Sequence, residues 1–252
     1  MSVRTEVRGG VLIVTLDRPE VRNAIDTATA QAIAEAMETL DNTPELTAAV
    51  LTGAGGTFCT GMDLKAFLAG ERPSIEGRGF AGIAQSPPAK PVIAAVEGHA
   101  IAGGFEIVLA CDLVVASQTA VFGLPEVKRG LLAGGGGLLR LPERVPYALG
   151  LEWALTGDFV SAEQAKDAGL VSRLTESGEA LSTAVDLAER IARNGPLAVR
   201  ATKEIMTASR DWSNAERFAK MWEIYEPVRS SDDAREGATA FREKRDPIWT
   251  GR

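Results

Sequence analysis

The chain has 252 residues, 45% hydrophobic and 24% charged, which fits one large soluble domain or one domain with a small appendage. A net charge of −7 argues against general nucleic-acid binding, which needs a basic footprint. One histidine, His99, excludes a histidine-rich metal site, and two cysteines, Cys59 and Cys111, are too few for a disulfide framework. No apolar run is long enough to span a bilayer, and the start, Met1 to Glu6, lacks a signal-peptide pattern. A cytoplasmic protein with no membrane partner is the expectation.

Val11 to Leu16 reads as a buried strand ended by Asp17-Arg18-Pro19. Asp26 is placed to cap a helix running to about Leu40, with Ile33, Ala36, Met37 and Leu40 at helical spacing and Pro44 beyond its end. A strand at Ala48 to Leu51 leads into the glycine turn Gly53 to Gly56. From Phe67 to Pro88 the chain is rich in Gly and Pro, predicting a mobile loop with at most one helix. Strands are expected at Val92 to Val96 and Leu113 to Val115, with a helix starting near Gly104 between them. Ser161-Ala162-Glu163-Gln164 fits a capping box. Leu181, Ala184, Val185, Ala188 and Ile191 form a helical stripe stopped by Asn194-Gly195-Pro196. Helices are predicted at 197–209, 213–228 and 232–243. Alternating strands, turns and helices give an α/β core over 1–190, followed by a helical subdomain over 191–252. No G-x-G-x-x-G follows the first strand, so this is not a simple dinucleotide fold.

The chemistry concentrates in a few stretches. Gly53 to Lys65 follows a strand and is built of small residues up to Met62, so its backbone can approach a ligand closely. Read alone, its simpler reading is an ordinary glycine turn with Asp63 capping a helix. Gly103-Gly104 before a helix presents free amides and the positive end of a helix dipole, which suits an oxyanion. Glu106 lies in the first turn of that helix among Phe105, Ile107, Val108 and Leu109, where a carboxylate is expensive to bury without a reason. Leu124-Pro125-Glu126 precedes Gly134 to Gly137, four glycines that read as a tight loop at a helix start.

In this order the stretches resemble one family. Phe58-Cys59-Thr60-Gly61-Met62-Asp63-Leu64, Lys90 to Gly98, Gly103-Gly104-Phe105-Glu106 and Pro125-Glu126 are similar to motifs of the enoyl-CoA hydratase/isomerase (crotonase) superfamily. Leu16-Asp17-Arg18-Pro19 with Asn23-Ala24 resembles its first signature, and Phe241 to Arg245 its last. The resemblance implies a spiral of ββα units with a C-terminal helical region that supports trimers or dimers of trimers. It implies Glu106 and Glu126 as an acid–base pair, backbone amides of Met62 and Gly103 as an oxyanion hole, and the Gly134 amide on the reacting water. Arg22, Ala24, Thr60 and Lys65 fall at positions that contact the coenzyme A thioester, and Phe241 and Lys244 at positions that reach a neighbouring subunit's nucleotide. Glu20 stands where the family often has lysine, with Arg22 as the nearest substitute. No metal or cofactor is implied, because coenzyme A is part of the substrate. Phe67, the 70–88 loop, Leu132, Ala133 and Trp212 are candidates to line the acyl pocket.

The main expectation is reversible hydration of an enoyl-CoA, a lyase reaction. Alternatives of the same fold are an enoyl-CoA isomerase and a carnitinyl-CoA dehydratase. The latter branch is resembled at Gly79 to Gly82, Pro125 to Leu131 and Lys244 to Trp249. An RNA-binding relative and a hydrolase using His99 or Cys59 are the remaining alternatives.

Overall fold

The computed structural model describes residues 2–252; Met1, the first residue of the expected core, lies outside them. An edge hairpin opens the chain, β1 (Val3–Arg8) and β2 (Val11–Leu16), followed by α1 (Thr27–Asn42), β3 (Ala48–Gly53) and the short α2 (Leu64–Leu68). A small hairpin, β4 (Ser74–Ile75) and β5 (Gly79–Phe80), precedes β6 (Val92–Val96), β7 (His99–Ile101) and α3 (Gly103–Ala110). Then come β8 (Leu113–Ser117), β9 (Val121–Gly123), α4 (Gly137–Arg144), α5 (Tyr147–Thr156), β10 (Val160–Ser161), α6 (Ala162–Asp167) and β11 (Arg173–Thr175). The chain finishes in α7 (Ala180–Ala192), α8 (Pro196–Ala208), α9 (Arg217–Arg229) and α10 (Asp232–Glu243).

The main sheet runs β1-β2-β3-β6-β8-β11, parallel except for the β1–β2 hairpin. A second layer holds β7, β9 and β10, and isolated bridges extend it through Cys59–Ala100 and Met62–Ile25. Each turn of the chain therefore gives one strand to the main sheet and one to the second layer before its helix. That is a ββα spiral. It stacks the loops at 22–25, 59–63, 101–104 and 123–126 beside one another.

Both faces of the main sheet are covered, which explains why its strands read as continuous apolar runs rather than alternating ones. Leu12, Val14, Leu51, Ala94 and Val114 enter the larger core, while Val11, Ile13, Val50, Ile93 and Val115 pack with Ala180, Ala184, Val185 and Ala188 of α7. Leu181, counted in the predicted stripe, is 37% exposed and turned away from that contact. The 67–88 stretch differs from expectation: its regular part is the β4–β5 hairpin, turned at Gly77, and the nearby helix α2 starts earlier because Asp63 accepts hydrogen bonds from the Lys65 and Ala66 amides. The Asp26 cap and the Ser161–Gln164 capping box form as the sequence predicts. In the C-terminal region α8 and α9 contain no fully buried residue.

Candidate active site

The first-signature residues are structural clamps around the site. Arg18 pairs with Asp26 at 3.0 Å and Asp63 at 3.0 Å, tying together the starts of α1 and α2. Buried Asn23, in a left-handed conformation, accepts from the Arg18 amide and donates to the Ala54 and Thr57 carbonyls, so it holds the glycine turn after β3. This fixes the segment that ends in Met62.

Met62 and Gly103 are brought together by tight backbone contact. A β-carbon on Gly104 would sit 2.1 Å from the Cys59 carbonyl oxygen, and one on Gly61 would sit 2.9 Å from the Gly103 nitrogen, so only glycine allows the two loops this approach. Ala102, between β7 and α3, is held at φ 51° and ψ −130°, and its amide donates to the Gly123 carbonyl. Such strain in a non-glycine residue is held by its surroundings and aims the first amides of α3. Among the described residues, neither the Met62 nor the Gly103 amide donates to a protein acceptor, and both residues border a cavity of about 1440 Å³. Two free amides on one cavity wall can grip a carbonyl oxygen that is gaining charge.

Glu106 and Glu126 border the same cavity. All eight residues of α3 are buried, so Glu106 (4% exposed) sits in an apolar helix and is served from outside it. The Gly137 amide donates to its Oε1 at 2.9 Å. Burial pushes its carboxyl above the ordinary carboxylate range, and the Gly137 and Gly135 amides and the Arg140 charge pull the other way. Burial also raises Glu126, opposed by its own amide and raised further by the Glu106 charge. Glu126 Oε2 is buried without a hydrogen-bond partner. A buried polar atom of this kind, on a carboxyl that shares its cavity with a second carboxyl, is placed to work on a water or a substrate proton.

The profile of the enoyl-CoA hydratase/isomerase family matches residues 6–252. The chain belongs to the enoyl-CoA hydratase/isomerase family. Carnitinyl-CoA dehydratases from Proteus mirabilis and Salmonella enteritidis are each 42% identical to it, covering all of this chain and 99% of theirs. Among solved structures, an enoyl-CoA hydratase from Mycobacterium marinum is 56% identical with a TM-score of 0.98, covering all of this chain and 99% of its own. A carnitinyl-CoA hydratase from Mycobacterium avium is 41% identical with a TM-score of 0.79, over the same shares. The ββα spiral with its helical C-terminal region is thus the crotonase fold expected from the motifs.

In this family member, Arg22, Ala24, Thr60 and Lys65 all border the cavity with Met62, Gly103, Glu106, Glu126 and Gly134. Phe67 and Leu132 border it as well, whereas Ala133 and Trp212 do not. The glycine whose amide reaches Glu106 Oε1 is Gly137, three residues beyond Gly134. Phe241 and Lys244 lie outside the cavity lining, and Phe241 is 88% exposed. Cys59 is fully buried, its thiol pushed up to about 12 by burial, and exposed His99 is not on the cavity wall, so the hydrolase alternative has no nucleophile there. Among the described residues no cluster of potential metal ligands occurs and no helix is long and apolar enough to cross a membrane.

Phe80, in the 70–88 stretch expected to line the pocket, is on the cavity wall, whereas sequence reasoning missed Arg140, Glu143 and Arg210 there. The Phe80 ring lies against Gly103, within 2.6 Å of where a β-carbon would stand. Arg140 had a usable signal, being one helical turn past the glycine run.

Proposed function

We propose that this protein interconverts a 2-enoyl-CoA and a 3-hydroxyacyl-CoA. The thioester carbonyl accepts hydrogen bonds from the Met62 and Gly103 amides, each worth roughly 3–4 kcal/mol as enolate charge develops. Water lies between the two carboxyls. Glu106, served by backbone amides, takes a proton from the water as its oxygen bonds to C3. Glu126, with no donor on Oε2, carries the shared proton and delivers it to C2. The pair then returns to its starting state by passing one proton from Glu106 to Glu126. Two coupled carboxyls with one proton between them suit this push and pull. The partnerless Glu126 Oε2, on a cavity wall that also carries Glu106, is the observation that carries the reading.

For the acyl group, the relatives favour carnitinyl-CoA dehydration, the alternative raised by the motifs, over hydration of a plain enoyl chain. The 56% identical enoyl-CoA hydratases from Mycobacterium marinum and Mycobacterium tuberculosis support the general chemistry. A quaternary ammonium seeks aromatic faces, and Phe67 and Phe80 on the wall offer two, although Arg72 lies over the Phe67 ring at 5.4 Å. Turnover of crotonobetainyl-CoA and crotonyl-CoA by the purified protein, followed by loss of conjugated-thioester absorbance, tests both levels. Faster turnover of the former supports carnitinyl-CoA; preference for the latter supports a plain enoyl hydratase; no hydration of any enoyl-CoA refutes the reading. Isomerisation that persists in Glu126→Gln would point to the isomerase branch.

The same proposal includes a homo-oligomer. Exposed Phe218, Trp222 and Tyr225 on α9 and Leu151 and Leu155 on α5 leave apolar surface that a second copy would cover. In such an assembly Phe241 and Lys244 would serve a neighbour's nucleotide. Light scattering of the purified protein tests it, a trimer or hexamer being expected.

A further inference from the structure

The two arginines of α4 near the site have different tasks. Arg144 donates to the carbonyls of Leu109, Cys111 and Asp112 and so serves the C-terminal end of α3. Arg140, one turn earlier, is half-buried and borders the cavity, and among the described residues its guanidinium has neither an ion pair nor a hydrogen bond. The carboxylate three residues on, Glu143, is already paired with Arg210. Arginine keeps its charge at any working pH, so this guanidinium acts on the cavity as an unneutralised cation.

Its position is fixed by the glycine turn. Arg140 Nη1 lies 2.7 Å from where a β-carbon on Gly136 would stand, and Glu106 Oε2 lies 2.7 Å from the corresponding point on Gly135. Cation and carboxylate thus lie against adjacent glycines. Of the other ionisable groups, Glu126, Arg129, Glu143, Asp63 and Lys65 border the same cavity, while Arg144 on α4 and His99 on β7 belong to elements that adjoin α3, and Cys111 and Asp112 lie just after α3. Of the cations, Arg144 is engaged with α3 carbonyls and Arg129 reaches back toward the Pro125 carbonyl. Asp63 is held by Arg18 and Asp112 by Lys203.

We infer that Arg140 is a positioning residue: across the Gly135–Gly136 step its unpaired guanidinium biases the Glu106–Glu126 pair so that the negative charge rests on Glu106. The inference rests on the acid–base reading of that pair. Its energetic sense agrees with the direction in which the Arg140 charge acts on Glu106, against the effect of burial. Arg140 touches no reacting atom in this account and acts only through Glu106.

The test is a carbon-13 NMR titration of the Glu106 side-chain carboxyl, assigned with Glu106→Gln, in the wild type, Arg140→Gln and Arg140→Lys. The expected result is a Glu106 midpoint moved to higher pH in Arg140→Gln and returned toward the wild type in Arg140→Lys. The acid limb of kcat/KM should move with it, about ten-fold in rate at the acid end, with KM changed less than about two-fold. An unmoved Glu106 midpoint in a folded Arg140→Gln overturns the inference, as does a large rise in KM with an unchanged pH profile. The titration needs no turnover, so inactivity of the wild type on every enoyl-CoA would overturn the functional reading while leaving the titration to judge Arg140.

Discussion

Substitutions within the four-glycine run separate geometry from composition. A β-carbon at Gly137 would lie 2.9 Å from Glu106 Cγ and 3.1 Å from Oε1, so the Glu106 side chain must give way and its 2.9 Å hydrogen bond from the Gly137 amide is lost or lengthened. A hydrogen bond to a charged group is worth about 1.5–3 kcal/mol, so Gly137→Ala should lower kcat roughly 10- to 150-fold. Overpacking adds about 1–3 kcal/mol of instability, offset by up to about 1 kcal/mol because alanine favours the helix that starts there. Gly134→Ala is the control, since its β-carbon would meet only Leu132 Cδ1 at 3.9 Å and its amide is retained. Steady-state hydration rates and thermal melts of the two variants are the assay. Equal activity in both, or greater loss in Gly134→Ala, would refute the claim that this loop serves Glu106 through Gly137.

Glu126→Gln should raise the melting temperature at neutral pH while removing hydration. A carboxyl raised by burial contributes stability that is full below its unfolded value near 4.5 and is lost as pH rises through the higher folded value, so the gain should vanish toward pH 4 in melts across pH. Asn23→Ala should cost about 2–4 kcal/mol, read by urea unfolding, because it strands the Arg18 amide and the Ala54 and Thr57 carbonyls. Neither cysteine should react with iodoacetamide in the folded protein, since burial pushes both thiols up to about 12; rapid labelling with loss of activity would contradict the burial.

The strands that were legible in the sequence are those with both faces buried, because an unbroken apolar run such as Val11 to Leu16 signals itself. The hairpin partner β1 was not, since an edge strand exposed over Arg4, Thr5, Glu6, Val7 and Arg8 carries little apolar pattern. The three-residue strands β7 and β9 are too short for any period to show, yet they build the layer on which the site sits. Glu106 stood out because a carboxylate in an apolar helix is anomalous; Glu126 gained meaning only from its motif. Phe80 was covered only as part of the 70–88 loop, and Arg140 was passed over although it stands one helical turn past the glycine run, because that spacing alone does not tell a cavity-facing arginine from a surface one. Packing of the glycine turn against α3, between residues some 30 positions apart, decides that.

Glu106→Gln and Glu126→Gln, assayed with an enoyl-CoA in heavy-oxygen water and in deuterium oxide, address the acid–base pair most directly. Each single change should cut both oxygen incorporation at C3 and deuterium incorporation at C2 by about a thousand-fold. Hydration that survives either change at near its original rate would contradict the two-carboxyl account.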